Sequence, residues 1–243
     1  MSKAPPIALI TGAAKRIGRH LALGLAKEGW HIAGTYNTSN EDIVSLAEEV
    51  TAQGQKFLKI KTDLSQAEEI DACLPNCVEG LGAPTLLINN ASLFAKDEVT
   101  TLTSKSFDQH MAINLKAPLL LTQAMVKTLG NTEKAVVINL TDQRVKNPGP
   151  SFYTYTLSKI GLASATKTMA LALAPHVRVN AIAPGPVLQS IHQTKEEFQS
   201  EWGSTPLEHG TSLEEILQAV NFILQTPSMT GTTLYLDGGQ RLI

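Results

Sequence analysis

The chain has 243 residues, 20 basic and 22 acidic side chains, and a formal net charge of -2. That balance argues against a general nucleic-acid surface, and no apolar run approaches the ~18 residues of a membrane span. Hydrophobic residues make up 43% of the sequence, ample for a substantial core.

The opening MSKAPPIALITG carries one lysine and a short apolar run, a poor secretory signal, so the chain reads as cytoplasmic. An apolar run over 5–11 is followed by a helical pattern through Lys27, and HIAGTY (31–36) by one from Asn40 to Gln53. KFLKIKTDL (56–64) precedes a further helix, in which Cys73 and Cys77 stand at helical spacing. No additional Cys or His ligands accompany them, so they read as reduced thiols and not as a metal site. PTLLINN (84–90) leads to a long helix over Ser104–Leu129, and KAVVINLT (134–141) to a helix beginning near Ser151. HVRVNAIAP (176–184) and TTLYLD (232–237) enclose a helical pattern over Ser212–Leu224. Seven β runs separated by helices predict an α/β fold, a parallel sheet with helices on both faces. Without a linker or composition shift, residues 1–243 read as one domain. The segment 185–211 has no strand pattern and is expected to cover a substrate pocket.

Between the first strand and first helix lies TGAAKRIG, with Gly12, Arg16 and Gly18 in place of G-x-G-x-x-G. Such a turn either brings backbone N–H groups and a helix N-terminus to a pyrophosphate or is an ordinary tight turn. The second strand ends in Asn37, Thr38 and Ser39, with no acid to bind a ribose 2′-OH or repel a 2′-phosphate. With Lys15 and Arg16 as nearby cations, this favours NADP(H) over NAD(H). The same residues also suit a polar turn capping the next helix at Ser39 or Asn40. Asp63, in TDLS, is placed to accept from an adenine amino group, and INNAS (88–92) closes the fourth strand. Each also reads as a helix cap or a strand end. All follow strand C-termini, where an open sheet has its ligand crevice.

The stretch INLTDQRVKNPGPSFYTYTLSK (138–159) holds two tyrosines and one lysine. Tyr155 and Lys159 are four apart and share a helix face; Tyr153 does not share it. An ammonium beside the phenol is expected to lower its pKa from about 10. His110, His176 and His209 fall in no ligand pattern.

TG-x-x-x-x-x-G, NNA and Y-x-x-x-K, with PG at 184–185 and LDGG at 236–239, resemble the short-chain dehydrogenase/reductase family over essentially the whole chain. The resemblance implies a Rossmann-like, doubly wound seven-stranded sheet and a dimer or tetramer, with a homotetramer favoured. It implies Tyr155 as proton donor, Lys159 on the nicotinamide ribose, and Asn114 positioning Lys159 through water. It also implies cofactor contacts from Gly12, Lys15, Arg16, Ile17, Gly18, Asn37, Thr38, Ser39, Asp63, Leu64, Asn90, Ala91, Pro184 and Gly185.

The family's catalytic serine stands thirteen residues before the tyrosine, and here that position is Asp142. Thr141 is displaced by one and is expected to point elsewhere. TGAAKRIG, NNAS-x-F and an aspartate followed by YT-x-x-K resemble the pteridine reductases. That resemblance implies Arg16, Ser92, Phe94, Asp142 and Tyr155 as substrate contacts, with Phe94 stacking on a pterin. An ionised carboxylate only accepts hydrogen bonds, so Asp142 suits ring N–H and amino donors and not a carbonyl oxygen. The expected activity is NADPH-dependent reduction of a pterin-type substrate, as in pteridine, dihydromonapterin or dihydrofolate reductases. The alternatives are a carbonyl or 3-oxoacyl reductase, or a non-catalytic NADP-binding sensor or scaffold.

Overall fold

A computed structural model describes residues 4–130, 134–190 and 193–243. Strands β1 (Ile7–Ile10), β2 (His31–Tyr36), β3 (Phe57–Lys61), β4 (Leu86–Asn89), β5 (Ala135–Leu140), β6 (Val177–Pro184) and β7 (Thr233–Leu236) form one sheet. All pairs are parallel, in the order β3-β2-β1-β4-β5-β6-β7, as the alternation of apolar runs and helices predicts. Parallel neighbours require crossovers, and helices supply them.

Period-two alternation divides each strand between two cores. Ala8 and Ile10 pack with Leu21 and Leu25 of α1 (Arg16–Lys27), Leu46 of α2 (Asn40–Ala52) and Val220 of α8 (Leu213–Gln225). Leu9 turns the other way, onto Leu74 of α3 (Ala67–Gly80) and Leu121 and Met125 of α5 (Ala117–Thr128). All of these side chains are fully buried, each contributing roughly 1.5–3 kcal/mol if large. Cys73 and Cys77 lie in the second core, where burial pushes both thiols up to about 12. They are inert at neutral pH.

The long helix predicted over 104–129 is instead α4 (Ser104–Met111), a π turn at Ala112–Lys116, and α5. Pro118 has no N–H to give the Asn114 carbonyl four residues back, so the α-helical ladder cannot continue unchanged there. Such turns recur at functional sites, and this one carries Asn114. The helix bearing Tyr155, α6 (Tyr153–Leu173), starts two residues later than expected. Within 185–211 a short helix, α7 (Lys195–Gly203), is opened by a Thr194–Glu197 capping box. Residues 191 and 192 of that segment lie outside the described residues. No described helix is long and apolar enough to cross a membrane.

Candidate active site

Strand order reverses between β1 and β4, so their C-terminal ends, with those of β5 and β6, open on one crevice. A cleft of about 860 Å³ lies there. On its wall are Gly12, Lys15, Arg16, Ile17, Asn90 and Ala91 from the first and fourth strand ends. Ser92 and Phe94 follow from the loop after β4, Asp142, Tyr155 and Lys159 from β5 and α6, and Pro184 and Gly185 from β6. Asn37, Thr38, Ser39, Asp63 and Leu64 lie off this wall, along the ends of β2 and β3.

Thr11, which the sequence reading did not single out, knots the β1 and β4 ends together. Its hydroxyl accepts from the backbone N–H groups of Asn90 and Ala91, both at 3.0 Å. Asn90 Nδ2 returns hydrogen bonds to the Thr11 and Gly12 carbonyls. Gly12 has φ +62, and a Cβ there would sit 3.1 Å from Ala91 Cα. A Cβ on Gly18 would sit 2.2 Å from the Gly12 carbonyl oxygen. The loop therefore folds tightly only with glycine at both positions.

The two cations of the loop are already engaged. Lys15 pairs with Asp42 at 2.9 Å. Arg16, at φ 54, donates to the Leu188 and Gln189 carbonyls at 3.1 and 2.9 Å, spanning the cleft mouth to the segment after β6. Ser39 stands at the N-cap of α2 but makes no side-chain cap, so the capping role open to it in the sequence is not used. Asp63 Oδ1 accepts from Ser65 N–H, closing a local turn, and Leu64 is buried in the core beside Leu9.

Tyr155 is 6% exposed, and its hydroxyl donates to Asp142 Oδ2 at 2.7 Å. Asp142 Oδ1 accepts from Arg144 N–H, which fixes the carboxylate at the head of a 3₁₀ turn, Gln143–Val145. Lys159 is 2% exposed and donates to the Leu140 carbonyl at 2.7 Å, its ammonium 5.7 Å from the Tyr155 ring centroid. Thr141 points away, donating to the Ile182 carbonyl.

These contacts reverse the expected electrostatics of the tyrosine. The i,i+4 spacing predicts a phenol pKa lowered by Lys159. Instead the phenol is raised well above its ordinary value, by burial and then by the Asp142 anion that it faces. Burial also raises Asp142, and its bonds from Arg144 N–H and Tyr155 oppose that shift. Burial lowers Lys159 to about 8, with Asp142 acting the other way. The group holds a protonated phenol, not a phenolate, and a phenol can give a proton.

Asn114 joins the loop after β4 to α6. It is fully buried and holds Leu93 through both its N–H and its carbonyl, at 2.8 and 2.9 Å. It accepts from the Ser92 hydroxyl and donates to Ser158 Oγ, tying the β4 loop to α6 with no direct bond to Lys159. Phe94 stacks on Phe152 at 4.2 Å with an interplanar angle of 7°, and meets the Tyr155 ring edge-on at 4.7 Å. One face of the ring expected to hold a substrate is therefore covered by another aromatic. Arg144 lies 5.3 Å over the Phe152 ring centroid.

A buried polar cluster with no local signature in the sequence fastens the start of α6. Asp97 accepts from Thr154 N–H at 3.0 Å, from Thr154 Oγ1 and from Ser106 Oγ. His110, fully buried, meets Thr154 Oγ1 at 2.8 Å and the Ser106 carbonyl at 2.9 Å. Phe152, in the left-handed region, offers α6 no side-chain cap, and Asp97 does so from 57 residues away. No cluster of three or more metal-ligating side chains occurs among the described residues.

The model of the short chain dehydrogenase family matches residues 6–200. The chain superposes with a TM-score of 0.95 on the FolM alternative dihydrofolate reductase 1 of Brucella suis in complex with NADP. The two are 38% identical, with 99% of this chain and 96% of that one covered. It is 30% identical over 239 residues to the 3-oxoacyl-[acyl-carrier-protein] reductase FabG of Staphylococcus aureus, covering 96% of each. It is 29% identical over 243 residues to the 2-dehydro-3-deoxy-D-gluconate 5-dehydrogenase of Escherichia coli, covering 96% of this chain and 94% of that one. Together with the sheet order and the Tyr155–Lys159 pair, these matches show that the chain belongs to the short chain dehydrogenase family.

Proposed function

We propose that this protein catalyses NADPH-dependent reduction of a pterin-type ring, in the manner of a pteridine, dihydromonapterin or dihydrofolate reductase. The observation that carries the reading is the 2.7 Å hydrogen bond from Tyr155 to Asp142, where the family resemblance leads one to expect a hydroxyl. A carboxylate there repels a ketone oxygen and attracts N–H donors. The NADP complex of the Brucella suis alternative dihydrofolate reductase, 38% identical, agrees with this reading.

The residues present fit the cofactor. Glycine at 12 and 18 lets the loop close tightly before α1, whose uncapped first-turn N–H groups would meet a pyrophosphate. Residues 37–39 carry no carboxylate, and the uncapped Ser39 hydroxyl remains for a 2′-phosphate. Bound NADPH would supply the hydride. Tyr155 would deliver the accompanying proton to a ring nitrogen, and Asp142 would hold both the phenol and the substrate's donor edge. Lys159, cationic below about 8, would hold the ribose. Phe94 would form the apolar wall and residues 185–211 the cover, drawn in by Arg16. The reading includes a homo-oligomer, with a tetramer favoured.

Steady-state NADPH oxidation with dihydrobiopterin, dihydromonapterin, dihydrofolate and a 3-oxoacyl thioester tests the proposal. Asp142→Ser should lower pterin turnover by roughly a hundredfold, about 2.7 kcal/mol of transition-state stabilisation. Turnover of the thioester alone, preserved or raised by Asp142→Ser, would transfer the assignment to the 3-oxoacyl reductases, at 30% identity the main rival. Turnover of nothing, with intact NADPH binding, would leave a sensor or scaffold. Tighter binding of NADH than NADPH would refute the cofactor choice.

A further inference from the structure

We propose that Lys96 and Arg144 form a receptor for the carboxylates of an acidic substrate tail, so that the site prefers a reduced pterin with a glutamate-type tail to one with a neutral side chain. The inference rests on the pterin reading above and narrows its substrate class.

Five basic side chains lie on the cleft wall: Lys15, Arg16, Lys96, Arg144 and Lys159. Three are committed, Lys15 to Asp42, Arg16 to the Leu188 and Gln189 carbonyls, and Lys159 to the Leu140 carbonyl. Lys96 and Arg144 make no side-chain hydrogen bond or ion pair among the described residues. Lys96 is exposed, and Arg144 is half-buried with its side-chain nitrogens open to solvent.

The loop after β4 brings Lys96 to the cleft by alternation. Leu93 is held by Asn114, Ala95 N–H donates to His110 Nε2 at 3.4 Å, and the Asp97 carboxylate accepts from Thr154 and Ser106. The alternate residues, Ser92, Phe94 and Lys96, all line the cleft. Arg144 reaches the same aromatic wall from the turn after β5. Its guanidinium lies 5.3 Å from the Phe152 ring centroid, and Phe152 stacks on Phe94. An aromatic neighbour orients a guanidinium and leaves N–H groups for a planar, bidentate anion. The charge of Arg144 also opposes the upward shifts of Asp142 and Tyr155, which places it near the reacting groups. On the part of the wall contributed by α7, Glu197 and Glu201 carry the opposite charge and accept from Thr194 N–H and Gln193 Nε2. An anionic tail is repelled there and attracted to Lys96 and Arg144.

The test compares kcat/KM for dihydrofolate and dihydrobiopterin in wild type, Arg144→Gln, Arg144→Lys and Lys96→Gln. NADPH affinity is measured in parallel by fluorescence. Wild type should prefer dihydrofolate, and that ratio should fall about tenfold in Arg144→Gln and about threefold in Lys96→Gln, the more exposed of the two. Arg144→Lys should keep part of the ratio, and about 0.5 M salt should compress it in wild type. A ratio equal in wild type and variants overturns the proposal, as does the absence of any wild-type preference. Equal losses on both substrates overturn it too, and would assign Arg144 to the Asp142–Tyr155 pair. A loss of NADPH affinity at constant ratio overturns it in favour of a cofactor contact. Failure of wild type to turn over either pterin, with turnover of a 3-oxoacyl thioester, removes the pterin reading itself and is distinct from all of these.

Discussion

Replacing Asp97 by alanine tests whether a residue outside the cleft holds the catalytic helix. The carboxylate is 6% exposed and accepts three hydrogen bonds, two from Thr154 and one from Ser106. Truncation removes the cap of α6 by stranding the buried Thr154 N–H, at about 1–3 kcal/mol, and the lost bond from Ser106 adds about 1 kcal/mol. Thr154 Oγ1 keeps His110 as a partner, which limits the damage. The expected loss is about 3 kcal/mol, a shift of roughly 1 M in urea midpoint, read by circular dichroism at one fixed protomer concentration. The pH dependence adds a second reading. Burial alone would raise the Asp97 pKa, but the bonds from Thr154 and Ser106, with His110 nearby, hold it below the usual carboxylate value. Stability from a lowered carboxyl is present above the unfolded pKa, about 3.9, and lost as pH falls through the folded one. The gap between wild type and variant should therefore be full at pH 6 and close progressively below about pH 4. A midpoint shift under about 0.2 M, or a gap independent of pH, would refute the assignment of Asp97 as the cap.

Lys159 sets a second pH effect, of opposite sign in folding and in function. Its folded pKa of about 8 lies below that of the unfolded chain, so its contribution to stability should rise between about 8 and 10.4. Cofactor affinity should fall over the same rise because the ammonium is lost; affinity constant to pH 9.5 would contradict its role at the ribose. Gly18→Ala adds a better helix former to α1, yet its Cβ would meet the Gly12 oxygen at 2.2 Å and Asn90 Nδ2 at 2.7 Å. NADPH Kd should rise about tenfold through the displaced loop, and titration giving the wild-type value would show that the cradle tolerates the shift.

The sheet could be read from the sequence because each strand is a short apolar run and each crossover has helical periodicity. Tyr155 and Lys159 are legible because local spacing fixes their relation on one helix; Asp142 is legible only through the family resemblance, as the residue at the serine position. What escaped detection depends on contacts distant in sequence. Arg16 finds its carbonyl partners more than 170 residues away, and Asp97 finds Thr154 at a distance of 57. The sign of the Tyr155 shift is not legible in the i,i+4 spacing, because it is set by burial and by the Asp142 that the phenol faces. The π turn at Asn114 was hidden because apolar periodicity continues across it; only Pro118 marked the seam.

The Phe94–Phe152 stack has a thermodynamic consequence for ligand selection. An aromatic wall that is loose in the free protein loses rotamer freedom when a ring lands on it, at about 0.5–1.5 kcal/mol per immobilised side chain. Here Phe94 is already wedged between a parallel ring and the edge of Tyr155. Its ordering is settled during folding, so a flat guest meets a wall whose configurational entropy has already been spent.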